Sequence, residues 1–523
     1  MRFIASRWPA ATKRALLFAL IVCGMLASRA AAAKHPRYGG TLRVELREAA
    51  ISLDPRAWKA GTLESAANEK IASLVFDRLV TLDNYGHFQP QLASEWSHDA
   101  SARHWQIRLR DGVKFSDDTP LTVAEVAAAL QPLLPTGIQL SASGNTLSVQ
   151  SASPLPDLLE LLASGRYFVY RALADGTLVG TGPFFVAEAS PATADGKNAR
   201  YLLKASENCW AGRPFVNAVE LTLGFPALRR LLDLQLGKAD LIEIAPELVR
   251  RAAQENLRVW ASTPVITFGL RIDASPSAAS NARLREALFY SLDRTTMANV
   301  LLQRQAEPAA ALLPQWLSGY AFLFNVDTSL ERAKELRAAL PANLAAAAEP
   351  LRLRVDAPGE LPKLLAERVA VNARQAGMTV QVINRPAQRE AGAATPPAES
   401  AASLHLFAWH VTSLSPRAEL DALSRALGAT ESAGADAASA EPEQLYARER
   451  KILEDRRVLP LVALPEYAGI GANVRNWLPA RWSEWHLAEV WLDLPESVAQ
   501  QNLNLPTAAT QQQQPTAPAG AKP

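Results

Sequence analysis

The sequence predicts an α/β fold divided into more than one lobe, and three observations carry that prediction. The first is a strand, helix, strand run: Leu351, Leu353 and Val355 alternate, Leu361 to Ala376 has helical spacing, and Met378, Val380 and Val382 alternate again. Such a run is a βαβ unit, in which parallel strands are joined by a crossover helix. The second is that strand-like and helix-like patterns also alternate near the beginning of the chain. The third is size. The 490 residues beyond position 33, in a chain that is 49% hydrophobic, exceed what one core organises, so two or three domains are expected.

Taken in order, Gly39-Gly40 precedes an alternating strand, Thr41 to Leu46. Glu64 to Asp83 reads as a helix, because Ile71, Leu74, Val75, Leu79 and Leu82 recur at helical spacing. Trp105, Ile107 and Leu109 share one face of a strand that breaks at Asp111-Gly112. Thr122 with Glu125 three residues on has the form of a capping box opening another helix. Ala387 to Ser403 and Ala429 to Pro442 are rich in small, polar and acidic residues and read as surface insertions. Residues 504–523, with the glutamine run Gln511 to Gln514, are expected to form a disordered tail.

The first 33 residues have the order of a secretory leader. Arg2, Arg7, Lys13 and Arg14 precede an apolar run from Ala15 to Ala27, and Ala30 to Ala33 supply small residues for cleavage. The run is shorter than the ~20 residues a membrane span needs. Lipidation at Cys23 is the alternative, but Val22 stands where a small residue is expected. With Arg29 the leader holds five of the 54 basic residues and none of the 52 acidic ones, which leaves 49 against 52. That balance gives no reason to expect nucleic acid as a partner. Cys209 is the one cysteine beyond the leader, so no internal disulfide is expected in the exported chain.

Chemistry-bearing motifs are sparse. The seven histidines form neither HExxH nor a close pair, and one cysteine leaves no zinc box, so no metal and no cofactor are expected. Neither a G-x-S-x-G elbow nor a phosphate-binding loop occurs. Gly180-Thr181-Gly182 begins like a dinucleotide fingerprint but runs into Pro183. Asp117-Asp118 is read as a turn, since catalytic acid/base pairs must flank a reacting bond. No catalytic residue is expected.

Several segments, in order, resemble the family 5 extracellular solute-binding proteins of ABC importers, the group that includes dipeptide-, oligopeptide- and nickel-binding proteins. They are Tyr38 to Leu42, Ser52 to Pro55, Pro90 to Trp96, Leu109 to Asp117 continuing to Val126, Gly180 to Phe184, Asn208 to Pro214, Gly237 to Asp240, and Leu284 to Leu288 with Ser291 to Arg294. The resemblance implies a periplasmic-binding-protein-like, two-lobed α/β clamshell with an extra domain inserted in the first lobe. It implies a base lobe over 34–65, 176–264 and 477–503, an extra domain over 66–175 and a second lobe over 265–476. The implied function is periplasmic capture of a small solute, such as a peptide, by a monomer that delivers it to an inner-membrane permease.

The same resemblance marks site residues. Peptide-binding relatives carry a segment of the form Gly-Trp-x-x-Asp-Tyr-x-Asp-Pro, whose first Asp meets the peptide ammonium. Here Ala408 to Pro416 occupies that register, with Thr412 and Ser415 in place of the two acids. Ala49, Ala50, Ile51, Ala408, Trp409, His410 and Thr412 are the expected ligand-binding residues, Trp409 serving equally well as a stacking platform or as core. A buried ammonium without a charged partner costs several kcal/mol, about the effective penalty per ion. So Glu419 or Asp421 replaces the missing Asp, or the ligand lacks a free amino terminus; the second is favoured. Only 18 residues, 127 to 144, separate Val126 from the strand at Asn145 to Val149, so the extra domain is trimmed. Competing readings are a receptor for a glycan, modified peptide or metal chelate, a sensor, and a periplasmic hydrolase.

Overall fold

The computed structural model describes residues 35–493 apart from 84, 164, 193–197, 274–280, 341–349, 358, 385–401 and 430–440. The leader, the Cys23 alternative, the tail and most of both insertions lie outside the described residues.

One sheet runs through the molecule. Its strands are β1 (Thr41–Leu46), β2 (Phe184–Ser190), β3 (Arg200–Ala205), β4 (Ala218–Leu223), β5 (Leu241–Ile244), β6 (Arg258–Ile272), β7 (Leu351–Val355), β8 (Val380–Asn384), β9 (Leu404–His410) and β10 (Val458–Ile470). Their order is β2-β3-β4-β1-β5-β10-β6-β9-β7-β8, with Glu307–Pro308 pairing β10 off this path. β1 lies parallel to β4 and β5, and β7 lies parallel to β8 and β9. The helix between β7 and β8, Glu360–Gln375, buries Leu365, Val369 and Ala373, so the expected βαβ unit is present.

Two lobes form because the sheet is clothed by separate cores. In the first, Leu42, Val44 and Leu46 of β1 pack with Ile71, Leu74, Phe184, Leu221 and Leu241, and the late residues Ala468, Ile470, Val474, Trp477 and Trp485 join them. Trp477 meets Trp260 and Trp485 edge-on. In the second, β7 and β9 contribute Leu353, Leu404 and Leu406 against Val369, Leu284 and Leu288. A third core belongs to a four-stranded antiparallel sheet of Ala93–His98, His104–Leu109, Thr146–Ser151 and Ile138–Ser143. There Trp105, Ile107 and Leu109 are buried with Val126 and Leu130, and Thr122 closes its capping box with Glu125. Such a cap stabilises a helix by about 1 kcal/mol.

The two lobes are joined mainly by β6 and β10, of 15 and 13 residues. Pro264 faces Pro465, and the register slips on both sides of Pro264. Proline has no N–H to donate, so the ladder is interrupted where the strands pass from one core to the other.

The expected helix over Glu64 to Asp83 is shorter. Helix α1 (Leu63–Val75) ends before Phe76, which is extended, and Val80–Leu82 is a strand paired with Phe88–Pro90. Asp77 decides the boundary: its buried carboxylate accepts from Gln91, Thr181 and Trp210, which holds the chain out of helical register. The β-branched Val80 and Thr81 then suit a strand.

Candidate functional site

A cleft of about 1260 Å³ opens between the lobes. One wall is built from the loop before α1, the first two turns of α1, and the segments Leu133 to Thr136 and Gly165 to Tyr167. Thr62 caps α1 by accepting from the Ser65 amide at 3.2 Å, which turns Ser65, Ala66 and Glu69 toward the opening. The other wall begins where β9 ends, at His410 to Ser413, and continues on α2 (Pro416–Leu427) and α3 (Pro442–Glu454). Arg417, Ala418, Asp421, Ala422, Ser424 and Arg425 fall on one face of α2, and Gln444, Ala447, Arg448 and Lys451 on one face of α3.

Two glycines set the approach of the walls. Gly61 has φ +74°, its carbonyl accepts from the His410 amide at 2.9 Å, and a Cβ there would lie 2.1 Å from the Trp409 ring. Gly165 has φ +54°, and its Cβ would lie 2.5 Å from the Thr412 carbonyl oxygen.

Of the expected ligand-binding residues, His410 and Thr412 line the cleft. Trp409 is buried in a core with Leu420, Leu423 and Tyr320, and its indole N–H donates to Glu419 at 2.6 Å. Ala408 packs on the second core. Ala49 and Ala50 are exposed, Ala49 lying against Gly224, and Ile51 packs on the first core.

The two spare acids are occupied. Glu419 accepts from Trp409, from the Thr412 amide and hydroxyl at 2.9 and 2.7 Å, and from the Ser413 amide at 2.9 Å. Its burial raises its pKa against these bonds. Asp421 lies 2.6 Å from Arg448 and 3.9 Å from Arg417. Ser415, standing where relatives carry the second acid, caps α2 and donates to Asp157 of the opposite wall at 2.5 Å. Arg417 adds a 2.7 Å ion pair to the same carboxylate. Sequence reading missed Asp157, because nothing within a sequence window connects residues 258 positions apart.

Behind the cleft lies a buried network of charges. Lys70 of α1 reaches Glu466 of β10 at 2.5 Å and Glu243 of β5 at 3.7 Å. Arg78 bridges Glu484 at 2.5 Å and Glu69 at 2.9 Å. His410 gives its Nδ1 to the Val411 carbonyl at 2.8 Å, while its Nε2 stands 3.4 Å from Glu466, an ion-pair contact rather than a directed hydrogen bond. Burial disfavours the imidazolium, but the Glu466 carboxylate outweighs burial and the repulsion of Lys70, so His410 lies above the usual histidine value. Its contribution to stability is therefore full below about pH 6.5, the unperturbed value, and is lost as pH rises through the folded value. Denaturation midpoints measured from pH 5 to 9 are expected to fall across that window in the native protein. The fall should be smaller in His410→Gln; an equal fall in both would remove His410 from the account.

Among the described residues no group of three His, Cys, Asp or Glu side chains is arranged to hold a metal ion.

The family model described as bacterial extracellular solute-binding proteins, family 5 Middle, matches residues 87–429. The nickel-binding periplasmic protein of Escherichia coli is 23% identical over 421 residues, covering 71% of this chain and 75% of its own. The periplasmic oligopeptide-binding protein OppA of the same bacterium is 22% identical over 365 residues, covering 59% and 64%. Among solved structures, the murein tripeptide binding protein MppA of E. coli aligns with a TM-score of 0.71 at 17% identity, over 88% of this chain and 99% of its own. The oligopeptide-binding protein AppA of Bacillus subtilis, in complex with a nonapeptide, aligns with a TM-score of 0.68 at 15% identity, over 88% and 100%. At these identities the structures establish the two-lobed fold.

Proposed function

The chain belongs to the bacterial extracellular solute-binding proteins of family 5, and from that premise we propose that it is the exported receptor of an ABC importer, a monomer that captures a small peptide-like solute between its lobes and presents it to a permease. The observation that carries the proposal is the cleft itself, about 1260 Å³ and walled from both sides by side chains of α1, α2 and α3. Small-ligand sites occur preferentially between domains, and the volume accommodates a peptide of a few residues. The names of the relatives, oligopeptide-binding and murein tripeptide binding among them, support that solute class.

We divide the chain as the resemblance implies, with Ile71 to Phe76, Phe168, Tyr170 and Ala468 to Val474 added to the base lobe because they pack in its core. Binding rather than catalysis is supported by the surroundings of His410, the one histidine lining the cleft among the described residues. Its ring nitrogens face Val411 and Glu466, not a hydroxyl or thiol. For Ile51, Ala408 and Trp409 the role we propose is packing in the cores behind the walls, with contact falling to His410 and Thr412 and none to the exposed Ala49 and Ala50.

Thermal denaturation of the protein with free and N-acetylated di- to pentapeptides and nickel chelates tests the proposal. A true ligand at a hundredfold excess over its Kd should add about 2.7 kcal/mol of stability. No stabilisation by any member of the panel would sink the receptor reading.

A further inference from the structure

The cleft is strongly cationic, in contrast to the chain that forms it. Among the described residues Lys59, Arg166, Arg417, Arg425, Arg448 and Lys451 line it, against the two carboxylates Glu69 and Asp421. Beyond residue 33 the chain holds more acidic than basic residues, 52 against 49, so this excess is local. Burial pushes Glu69 up to about 7, which weakens even the small negative contribution it makes.

Internal pairing accounts for only some of the cations. Arg417 is held by Asp157 and Arg448 by Asp421. Arg425 donates its Nε to the Asp421 carbonyl of its own helix, and among the described residues no carboxylate lies within ion-pair distance of its guanidinium. Arg166, on the opposite wall, has a buried Nε without a hydrogen-bond partner among the described residues. Both guanidiniums act on Tyr167, another cleft residue: burial pushes its phenol up to about 12 while Arg166, Arg425 and Arg417 pull it down. Cations from the two walls thus line one cleft. Like charges held together in a cleft of low-dielectric walls focus a positive potential and draw anions into it.

The complementary charge is missing. A ligand ammonium would need a free carboxylate, but Glu69 is paired with Arg78, Glu419 is filled by four donors and Asp421 by two arginines.

We infer that the solute is a small polycarboxylate without a free ammonium at its Thr412 end, received by Arg166 from one wall and Arg425 from the other. This names the ligand class of the cleft and rests on the receptor reading above. The shared chemistry is a set of convergent carboxylates, which an N-blocked acidic peptide and a non-peptide polycarboxylate both provide.

The test is calorimetric titration of the protein with N-acetyl-triglutamate, N-acetyl-trialanine amide, free trialanine and citrate. The acidic probes are expected to bind at least about tenfold more tightly than the neutral ones at roughly 20 mM salt, with the gap narrowing at roughly 300 mM as screening shortens the Debye length. R166Q and R425Q should each remove about tenfold of the acidic affinity, as loss of a charge-assisted hydrogen bond does, and leave N-acetyl-trialanine amide, which has no carboxylate for them to receive, unchanged. R166K and R425K should recover part of it. Binding of citrate without N-acetyl-triglutamate, or the reverse, identifies the source and supports the inference either way.

Neutral or free-amino peptides binding as tightly as the acidic probes would overturn the inference and leave the receptor reading standing. So would full acidic affinity in the two Gln variants. Failure of every probe, acidic and neutral, would overturn both. Arg425 is exposed, so R425Q answers the question even if R166Q fails to fold.

Discussion

Lys70→Met is expected to lower the unfolding free energy by about 3–5 kcal/mol, the cost of breaking a buried ion pair from one side. Lys70 is buried, and its ammonium faces Glu466 and Glu243, with Glu48 near enough to hold its pKa up as well. Burial opposes the Glu466 charge, yet Lys70 and His410 hold its pKa well below the ordinary glutamate value. In the native protein this carboxylate therefore contributes stability above about pH 4.3 that is lost as pH falls. Without the lysine, burial dominates and the sign reverses: the variant should regain stability as pH is lowered from 7 toward 5. Urea denaturation across that range reads both effects, and Lys70→Met with Glu466→Gln should recover most of the loss. A cost below about 1 kcal/mol would mean that the pair is worth no more than one on the surface.

Gly61→Ala is expected to damage binding far more than folding. The positive φ of Gly61 costs a non-glycine residue about 1 kcal/mol. The larger effect comes from Trp409, whose ring occupies the place the new methyl would need. That ring cannot retreat, because Glu419 fixes its N–H and Leu420 and Leu423 pack around it. If the walls meet here only when the lobes close, an open form escapes the clash and the penalty falls on the liganded state. About 3 kcal/mol of penalty corresponds to a loss of roughly a hundredfold in affinity. Titration with whichever probe binds, together with small-angle scattering, should show weak binding and a particle that stays expanded on adding ligand. Unchanged affinity would mean that the contact plays no part in closure.

What was legible in the sequence followed from periodicity. Leu351 to Val382 gave strand, helix and strand because each element buries one face against a neighbour, and the alternation of Trp105, Ile107 and Leu109 gave a buried face for the same reason. Periodicity failed at Leu79 and Leu82, which happen to continue the helical spacing of α1. The determinant there is Asp77, whose partners lie at positions 91, 181 and 210. Trp409 could be read only as a large aromatic, and its orientation depends on a glutamate that the sequence offered as a spare ligand group. The cationic excess was hidden by averaging: its members come from positions 59 to 451, and the composition of the chain points the other way.

The first core has a history as well as a shape. Its early members, Leu42, Val44 and Ile71, cannot meet Ala468, Ile470, Val474 and Trp485 until some 400 intervening residues have been made. Contacts of that sequence separation are slow to form because loop closure must come first. The second core, whose strands β7, β8 and β9 lie within about 60 residues of each other, runs from Phe268 to Leu464 and so waits less. The molecule therefore acquires its parts out of chain order, with the lobe synthesised first completed last.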